Sequence, residues 1–165
     1  MDGLLGGLRT GLGLDQHALV QGRELVLGGV RVPFDRGPLG HSDGDALLHA
    51  LMDAVLGALG EPDIGTLFPA HDPSLRGVCS LTLLERVGVL VAQHRARILS
   101  LDAVLVLERP AVAPYLDSMR HNIASVLDIS SGRVGLKAKH PEGVGAIGRG
   151  EGVMAQAVAL VWCPQ

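Results

Sequence analysis

The sequence predicts an α+β fold in which one mixed sheet of four to five strands is covered on one face by about three helices. The segment 46–59 is almost wholly apolar over the length of a helix. The segments 98–107 and 153–162 are apolar runs of strand length. The expected order ββ-α-α-β-α-β-β, with the helices against a single sheet, is typical of an α+β sandwich.

The composition fits a globular protein rather than a disordered one. A chain of 165 residues can bury a sizeable core, and 47% of its residues are hydrophobic and 19% charged. A net charge of −3 without a long basic run argues against a general nucleic-acid binder. The two cysteines are too few for a disulfide framework or a cysteine zinc site.

The N-terminus lacks the pattern of a signal peptide or a membrane span. We therefore expect a cytoplasmic protein that does not bind membranes. Residues 1–165 are expected to form one domain, with residues 1–8 as a short N-terminal extension.

The first third of the chain predicts a strand, a hairpin and a loop. Residues 8–14 alternate weakly and are expected to form the first strand. Residues 24–34 predict a β-hairpin that turns at Gly28-Gly29. Residues 35–39, rich in Gly and Pro, are expected to form a loop that leads into the central helix.

The central helix, over 46–59, is the most informative element. Ser42 and Asp45 have the spacing of a capping box at its start. Only Asp45, His49 and Asp53 interrupt its apolar sequence, and their i, i+4, i+8 spacing places them on one edge. A histidine on a buried helix needs a polar partner, so His49 is either a hydrogen-bonded core residue or a ligand.

The rest of the chain predicts two helices and three strands after an irregular segment. Residues 61–73 lack a regular pattern, and loops of this length inside compact domains are often functional. Asp102 is the single charge within the strand 98–107 and is expected to be buried. The remaining elements are a helix that Ser80 caps and that runs to about Arg97, a helix from Pro114 to about Leu127, a strand over 133–139, a Gly-rich loop and a strand over 153–162.

Asp15 and His17 form a candidate metal-ligand pair. In an extended segment, positions i and i+2 project to the same side, so a carboxylate and an imidazole lie together. Such a pair suits zinc or a similar divalent ion, although a solvated loop would show the same pattern. With His49, the pair would complete a His₂Asp set that leaves a fourth position for substrate or water, as in catalytic zinc sites.

Two segments could bind an anion. His41 and Ser42 precede the central helix, where free backbone amides favour a phosphate, although a plain helix cap is the alternative. The Gly-rich segment after residue 142 contains Arg149 and Glu151 but lacks the P-loop and dinucleotide-binding patterns.

Several motifs, in order along the chain, resemble the 2-C-methyl-D-erythritol 2,4-cyclodiphosphate synthase family of the non-mevalonate isoprenoid pathway. The resemblance runs from about Arg9 to Val161. The motifs are GLDQH, GHSDGDALLHALMD, DIGTLFP, PYLDSMR and GRGEG.

The resemblance implies a metal-dependent phosphorus–oxygen lyase. The substrate would be 4-diphosphocytidyl-2-C-methyl-D-erythritol 2-phosphate, whose 2-phosphate attacks the β-phosphorus to close a cyclic diphosphate and release CMP. The resemblance also implies that the chain forms a homotrimer with active sites between adjacent subunits. Asp15, His17 and His49 would bind Zn²⁺, and Glu142 would bind a Mg²⁺ or Mn²⁺ that bridges the nucleotide phosphates.

The resemblance also implies a set of substrate contacts. His41 and His140 are the expected catalytic residues, since both would contact a phosphate in the transition state. Arg149, oriented by Glu151, would lie near the threefold axis. The expected substrate-binding residues are Asp15, Gln16, His17, His41, Ser42, Asp63, Ile64, Gly65, Phe68, Pro69, Ala70, His71, Asp72, Leu107, Glu108, Arg109, Pro110, Ala111, Val112, Ala113, Lys139, His140, Pro141, Glu142, Ala146 and Arg149.

The chain departs from the family pattern at four places. The segment Lys139-His140-Pro141-Glu142 stands where the family usually has Thr-Thr-Thr-Glu. Ala111 replaces a lysine of the cytidine loop, Ala70 replaces a carboxylate, and Ala146 replaces a phenylalanine of the axial cavity. We hypothesise that Lys139 or His140 supplies the positive charge that Ala111 lacks.

Two other functions are compatible with these residues. The chain could be a weakened paralogue that acts as a zinc-binding trimeric scaffold. It could also be a His₂Asp zinc hydrolase, in which Asp45 or Asp53 serves as general base or merely orients His49.

Overall fold

A computed structural model of the protein describes residues 7–164 and has the expected α+β architecture. A five-stranded mixed sheet is accompanied by a separate two-stranded hairpin. The strands are β1 Leu8–Gln21, β2 Leu25–Leu27, β3 Val30–Val32, β4 Arg36–Pro38, β5 Arg97–Val106, β6 Val134–Lys139 and β7 Gly152–Trp162. The α-helices are α1 Ala46–Leu59, α2 Ile64–Leu67, α3 Ser80–Gln93, α4 Leu116–Val126 and α5 Gly145–Gly148.

The sheet has the strand order β4-β1-β7-β5-β6. Its longest pairing is antiparallel, between β1 and β7, and extends from Leu8↔Trp162 to Ala18↔Gly152. The β5–β6 pair is parallel, whereas β5 and β7 are antiparallel. The prediction of a mixed sheet is therefore confirmed.

Helix α1 lies unusually close to β1 because two strand positions carry no side chain. A Cβ added to Gly11 would lie 1.9 Å from the carbonyl oxygen of Ala54, and one added to Gly13 would lie 1.9 Å from that of Ala50. The facing side chains of β7 are small and fully buried, as at Ala157. Glycine and alanine thus let the backbones of helix and strand meet directly.

The predicted hairpin at Gly28-Gly29 is confirmed, and α1 anchors it. Both glycines have positive φ, 57° and 70°, as a two-residue type I′ turn requires. The buried carboxylate of Asp45 accepts their two N–H groups at 3.0 and 2.7 Å, and it also accepts the N–H of Leu48 at 3.1 Å. Burial raises the pKa of Asp45 to about 6, against the opposing effect of these hydrogen bonds.

The structure corrects two boundaries in the first third of the chain. Strand β1 does not end at residue 14 but continues to Gln21. The segment 35–39 is not entirely a loop, since β4 pairs with residues 19–21 of β1. A strand that contains proline is tolerated here because β4 lies at the edge of the sheet, where a missing N–H breaks no ladder.

The structure also corrects the helix starts. Asp45, not Ser42, is the N-cap of α1. Ser80 is the first residue of α3 rather than its cap, and the cap position, Cys79, makes no side-chain hydrogen bond. Helix α3 ends at Gln93 rather than near Arg97, because the chain turns at Arg95, which has a φ of 51°, before β5 begins.

Three further expectations can be placed on the described residues. Asp102 is exposed, not buried, because it alternates onto the sheet face away from α1 and pairs with Lys137. Of the expected N-terminal extension, residues 1–6 lie outside the described residues, and Leu8 already belongs to β1. Between residues 7 and 164, each helix is too short or too polar to span a lipid bilayer.

The contact between α1 and β1 generates a stability prediction. The Gly11→Ala variant should lose about 2–3 kcal/mol of unfolding free energy, because its methyl group would overlap a helix carbonyl. The matched control is Gly57→Ala on α1, whose added Cβ would meet Gly11 only at 3.8 Å. Urea unfolding should show the control unchanged or stabilised by up to about 1 kcal/mol; equal stability of Gly11→Ala and wild type would contradict the account.

Candidate functional site

The structure brings Asp15, His17 and His49 together at the contact between β1 and α1. Each residue offers one ligand atom, and these atoms lie within 4.8 Å of one another. The Oδ2 atom of Asp15 lies 2.8 Å from Nδ1 of His17 and 3.2 Å from Nδ1 of His49. One carboxylate and two imidazoles form a donor set that suits Zn²⁺.

The packing of α1 on β1 explains this convergence. Gly11, Gly13, Asp15 and His17 share one face of β1, since side chains alternate along a strand. The two ligands, Asp15 and His17, therefore follow on β1 directly after the two glycines at which the strand backbone contacts α1. His49 follows on α1, and the close approach brings its ring within reach of Asp15.

One buried nitrogen in the cluster lacks a partner. Nδ1 of His17 is buried and forms no hydrogen bond within residues 7–164. The nearby Asp15 oxygen is only 2.8 Å away but lies out of line with the ring N–H, so proximity does not amount to a hydrogen bond. An unpaired buried polar atom costs about 1–3 kcal/mol. A cation within the cluster would satisfy this atom, so the three residues fit a metal ion.

The electrostatics of the cluster keep Asp15 ionised. Burial acts to raise the pKa of Asp15, but the imidazoles of His17 and His49 outweigh it and lower the pKa to about 2. Burial likewise acts to lower the pKa of His49, but the carboxylates of Asp15, Asp45 and Asp43 raise it. The carboxylate is therefore available as a ligand throughout the neutral range.

The partners of His49 differ from those expected from its helix. Neither Asp45 nor Asp53 orients the ring: Asp45 holds the hairpin, and Asp53 accepts the N–H of Ile64 at 2.8 Å. Nε2 of His49 instead lies 3.1 Å from the hydroxyl of Ser80, which hydrogen-bonds to Asp43 at 2.5 Å. Sequence analysis missed Asp43 altogether and gave Ser80 only a capping role.

A cavity of about 240 Å³ opens beside the cluster. Both imidazoles line it, together with several of the expected substrate residues: His41, Ser42, Ile64, Gly65, Phe68 and Ala70. The carboxylate of Asp45 already caps the first turn of α1 by accepting the N–H of Leu48. The hydroxyl of Ser42 and the imidazole of His41, which face the cavity, remain available to an anion.

Other residues expected beside the substrate do not line this cavity. Gln16 alternates onto the opposite face of β1 and is exposed. Asp63 caps α2 by accepting the N–H of Thr66 at 2.8 Å, and Asp72 similarly accepts the N–H of Ser74 at 2.9 Å. The expected residues Pro69 and His71 lie in the same connecting segment, outside the cavity lining.

Five of the seven residues expected to bind cytosine, 107–113, line a second, smaller cavity of about 90 Å³. Glu108 and Arg109 face a different cavity, which they share with Arg149. The residues lining the second cavity include Leu107, Pro110, Ala111, Val112, Ala113, Lys139 and His140. Ala111 and the Lys139-His140 segment, two of the departures from the family pattern, therefore line the same cavity.

The two cavities are well separated within one chain. The register pairs Gln16 with Met154, Met154 with Val106, and Val106 with Lys139. Lys139 thus lies level with the metal cluster but three strand spacings away, roughly 14 Å.

The expected residues that follow His140 lie outside both cavities. Pro141 is half-buried, and Glu142 is exposed with a φ of 54°. Ala146 is exposed on α5. Arg149 forms the expected pair with Glu151, at 2.6 and 3.1 Å.

Comparison with known proteins identifies relatives over nearly the whole chain. The YgbB family matches residues 8–162. The 2-C-methyl-D-erythritol 2,4-cyclodiphosphate synthase of Caldicellulosiruptor bescii is 46% identical over 153 residues, which cover 93% of this chain and 98% of that protein. The synthase of Pelobacter propionicus is 50% identical over 154 residues, which cover 93% and 98%.

Comparison with solved structures also identifies a synthase that matches nearly the whole chain. A 2C-methyl-D-erythritol-2,4-cyclodiphosphate synthase in its CDP-bound form superposes with a TM-score of 0.85 at 40% identity, over 93% of this chain and 99% of that one. Sequence and fold therefore agree along nearly the full length of these three relatives, and the chain belongs to the YgbB family, the family of these 2-C-methyl-D-erythritol 2,4-cyclodiphosphate synthases.

Proposed function

We propose that the chain converts 4-diphosphocytidyl-2-C-methyl-D-erythritol 2-phosphate to 2-C-methyl-D-erythritol 2,4-cyclodiphosphate and CMP. The observation that carries this assignment is the Asp15, His17 and His49 group beside an open cavity, in a chain that belongs to the synthase family. The enzyme is a lyase of non-mevalonate isoprenoid biosynthesis.

The reaction needs positioning more than a protein base. An oxygen of the 2-phosphate bonds to the β-phosphorus while the bond from that phosphorus to the oxygen bridging to the α-phosphate breaks, so that CMP leaves with that oxygen. The attacking phosphate is already an anion, and catalysis depends on alignment and charge stabilisation. Zn²⁺ bound at Asp15, His17 and His49 would act as a Lewis acid toward the phosphate oxygens.

The residues around the first cavity would hold the methylerythritol end of the substrate. His41 and Ser42 face the cavity beside the imidazoles and would donate hydrogen bonds to a phosphate. Asp63 lies at the start of α2 and would bind the erythritol hydroxyls, together with Ile64 and Gly65. Asp53 keeps this segment in place through the N–H of Ile64.

The residues around the second cavity would hold the nucleotide. Leu107 to Ala113 would contact cytosine, and Lys139 and His140 would approach the phosphates from the other wall. His140 takes the position of the family threonine and would contact a phosphate during the reaction. Glu142 would bind the second divalent ion, Mg²⁺ or Mn²⁺, together with the nucleotide phosphates.

The separation of the two cavities favours active sites between subunits. The attacking phosphate and the nucleotide phosphates must meet, yet the two cavities of one chain lie roughly 14 Å apart across the sheet. A neighbouring copy could place its nucleotide cavity beside the metal cluster of the first. We therefore propose a homotrimer with intersubunit active sites, near whose axis Ala146 and Arg149 would lie.

The sheet offers an apolar face for this assembly. Leu12, Leu14 and Val158 are 63%, 55% and 46% exposed on the face of the sheet away from α1. Leu12 pairs directly with Val158, so the apolar side chains form a continuous patch. Exposed apolar patches of this kind mark interfaces between proteins.

The alternative functions are less well supported. The curated and CDP-bound relatives support the synthase rather than a catalytically inactive scaffold. A zinc hydrolase would need a carboxylate that faces the zinc-bound water, but among the described residues neither candidate lines the cavity beside the cluster. Asp45 holds the hairpin and Asp53 holds Ile64. We further propose that residues 1–165 act as a single domain in the cytoplasm.

The reaction itself gives the first test. With Zn²⁺ and Mg²⁺ supplied, the enzyme should release CMP and a cyclic product from its proposed substrate, and it should leave simple phosphoesters intact. His49→Ala should reduce CMP release about 1,000-fold or more, because Lewis-acid stabilisation is worth several kcal/mol. His94→Ala, whose ring pairs with Glu61 away from the cavity, should retain activity. Hydrolysis of simple phosphoesters without a cyclic product would instead establish the hydrolase.

The altered phosphate segment gives the second test. Lys139→Ala should raise KM about 10-fold or more, because a charge-assisted hydrogen bond to phosphate contributes about 1.5–3 kcal/mol. Arg95→Ala removes the same charge from an exposed position before β5 and should leave KM unchanged. An unchanged KM in Lys139→Ala would eliminate the idea that this lysine compensates for Ala111.

The apolar sheet face gives the third test. Light scattering should give the wild-type enzyme a mass of about three times 17.2 kDa. Leu12→Glu should yield monomers that release little CMP, because a charge would lie within the interface. Val89→Glu, at a residue 53% exposed on α3, should remain trimeric and active. A wild-type monomer with full activity would refute the intersubunit site.

A further inference from the structure

We propose that Asp43 and Ser80 are positioning residues for the metal site: they hold the ring of His49 with a proton on Nε2, so that Nδ1 is free to bind the metal. The inference rests on the proposed function, since it concerns the same metal site. It assigns a role to two buried or half-buried polar side chains that the chemistry described above leaves unused.

The direction of the hydrogen bonds follows from counting donors. A carboxylate only accepts hydrogen bonds, and Asp43 accepts both groups of Ser80: the backbone N–H at 2.9 Å and the hydroxyl at 2.5 Å. A hydroxyl has one proton, and Ser80 uses it to donate the hydrogen bond to Asp43. The remaining contact of Ser80, at 3.1 Å from Nε2 of His49, must then be a bond that the histidine donates.

The consequence for His49 is a fixed orientation and a fixed tautomer. A neutral imidazole carries one N–H, and Ser80 requires it on Nε2. Nδ1 lies 3.2 Å from the carboxylate of Asp15, which only accepts hydrogen bonds, so a metal ion bound by both groups would take the place of a proton on Nδ1 and leave the ring protonated at Nε2. Ser42 also approaches Nε2, but at 3.4 Å its contact is the longer of the two.

The geometry of the pair is itself well fixed. Ser80 is fully buried at the first turn of α3, whose cap residue, Cys79, provides no side-chain hydrogen bond. Asp43 replaces that missing cap from a different segment, and a carboxylate is favoured at a helix N-terminus. The N–H of Asp43 also donates to the carbonyl of Val78 at 3.2 Å. The segment before α1 and the start of α3 are thereby joined behind the metal ligand.

Zinc affinity of the metal-free enzyme is the first readout. Ser80→Ala should bind Zn²⁺ about 10- to 100-fold more weakly in competition with a chromophoric chelator, since loss of such a supporting hydrogen bond has effects of this size. Ser130→Ala is the matched control: it removes an exposed serine hydroxyl that accepts the N–H of Gly132, and it should bind zinc like wild type. Circular dichroism establishes that both variants are folded.

The protonation of the His49 ring is the second readout, and a purely structural role would not change it. Multiple-bond ¹⁵N–¹H spectra of ¹⁵N-histidine protein should show zinc-loaded wild-type His49 protonated at Nε2. In the metal-free protein at alkaline pH, where Asp15 competes for the proton at Nδ1, wild type should show a larger Nε2-protonated fraction than Ser80→Ala. Metal-free Ser80→Ala should show a mixture of both tautomers. Asp43→Asn should do so as well, because its amide can donate to Ser80 and free the hydroxyl proton to point at Nε2.

The outcomes separate this inference from the proposed function. Unchanged zinc affinity in a folded Ser80→Ala variant, or a wild-type His49 protonated only at Nδ1, would overturn the role of Asp43 and Ser80 while leaving the synthase assignment intact. A wild-type protein that binds no zinc and releases no CMP would overturn the proposed function itself. Weaker zinc binding together with mixed tautomers would establish the positioning role.

Discussion

The close contact between helix α1 and strand β1 is the constraint on which the rest of the site depends. Gly11 and Gly13 leave no room for a side chain between the strand and the helix carbonyls. The same strand face continues into Asp15 and His17, and the same helix carries His49. Because the two backbones are in contact, three ligands from distant parts of the sequence reach one point, and no flexible loop contributes to their geometry.

Three carboxylates then connect α1 and its flanking segment to the surrounding elements. Asp45 accepts the amides of the hairpin turn, Asp53 accepts the amide that opens α2, and Asp43 accepts the amide that opens α3. The start of α2 lines the cavity, and the start of α3 supports a metal ligand through Ser80. The acidic residues near the metal cluster thus act mainly through backbone amides, which leaves Asp15 as the carboxylate within the ligand set.

Sequence analysis could predict the elements with strong local patterns and the ligands with strong chemical ones. The apolar helix α1, the Gly28-Gly29 turn and the Asp15, His17 and His49 set were all evident in this way. The long-range hydrogen-bond partners of the acidic residues could not be predicted. The spacing of Asp45 and Asp53 shows that they share one edge of a helix, but not which backbone amides they bind. Strand β4 was missed for a related reason, since proline discourages a strand except at an edge, and only the assembled sheet shows where the edges lie.

The most direct test of the account is the position of zinc in crystals of the enzyme, from anomalous scattering at the zinc absorption edge. The account predicts one strong peak per chain, bound by Asp15, His17 and His49 at roughly 2.0–2.2 Å, with Nδ1 of His49 as its ligand atom. A zinc peak bound by other residues, or none at this cluster in a zinc-loaded active enzyme, would contradict the claim that the α1–β1 contact builds the metal site.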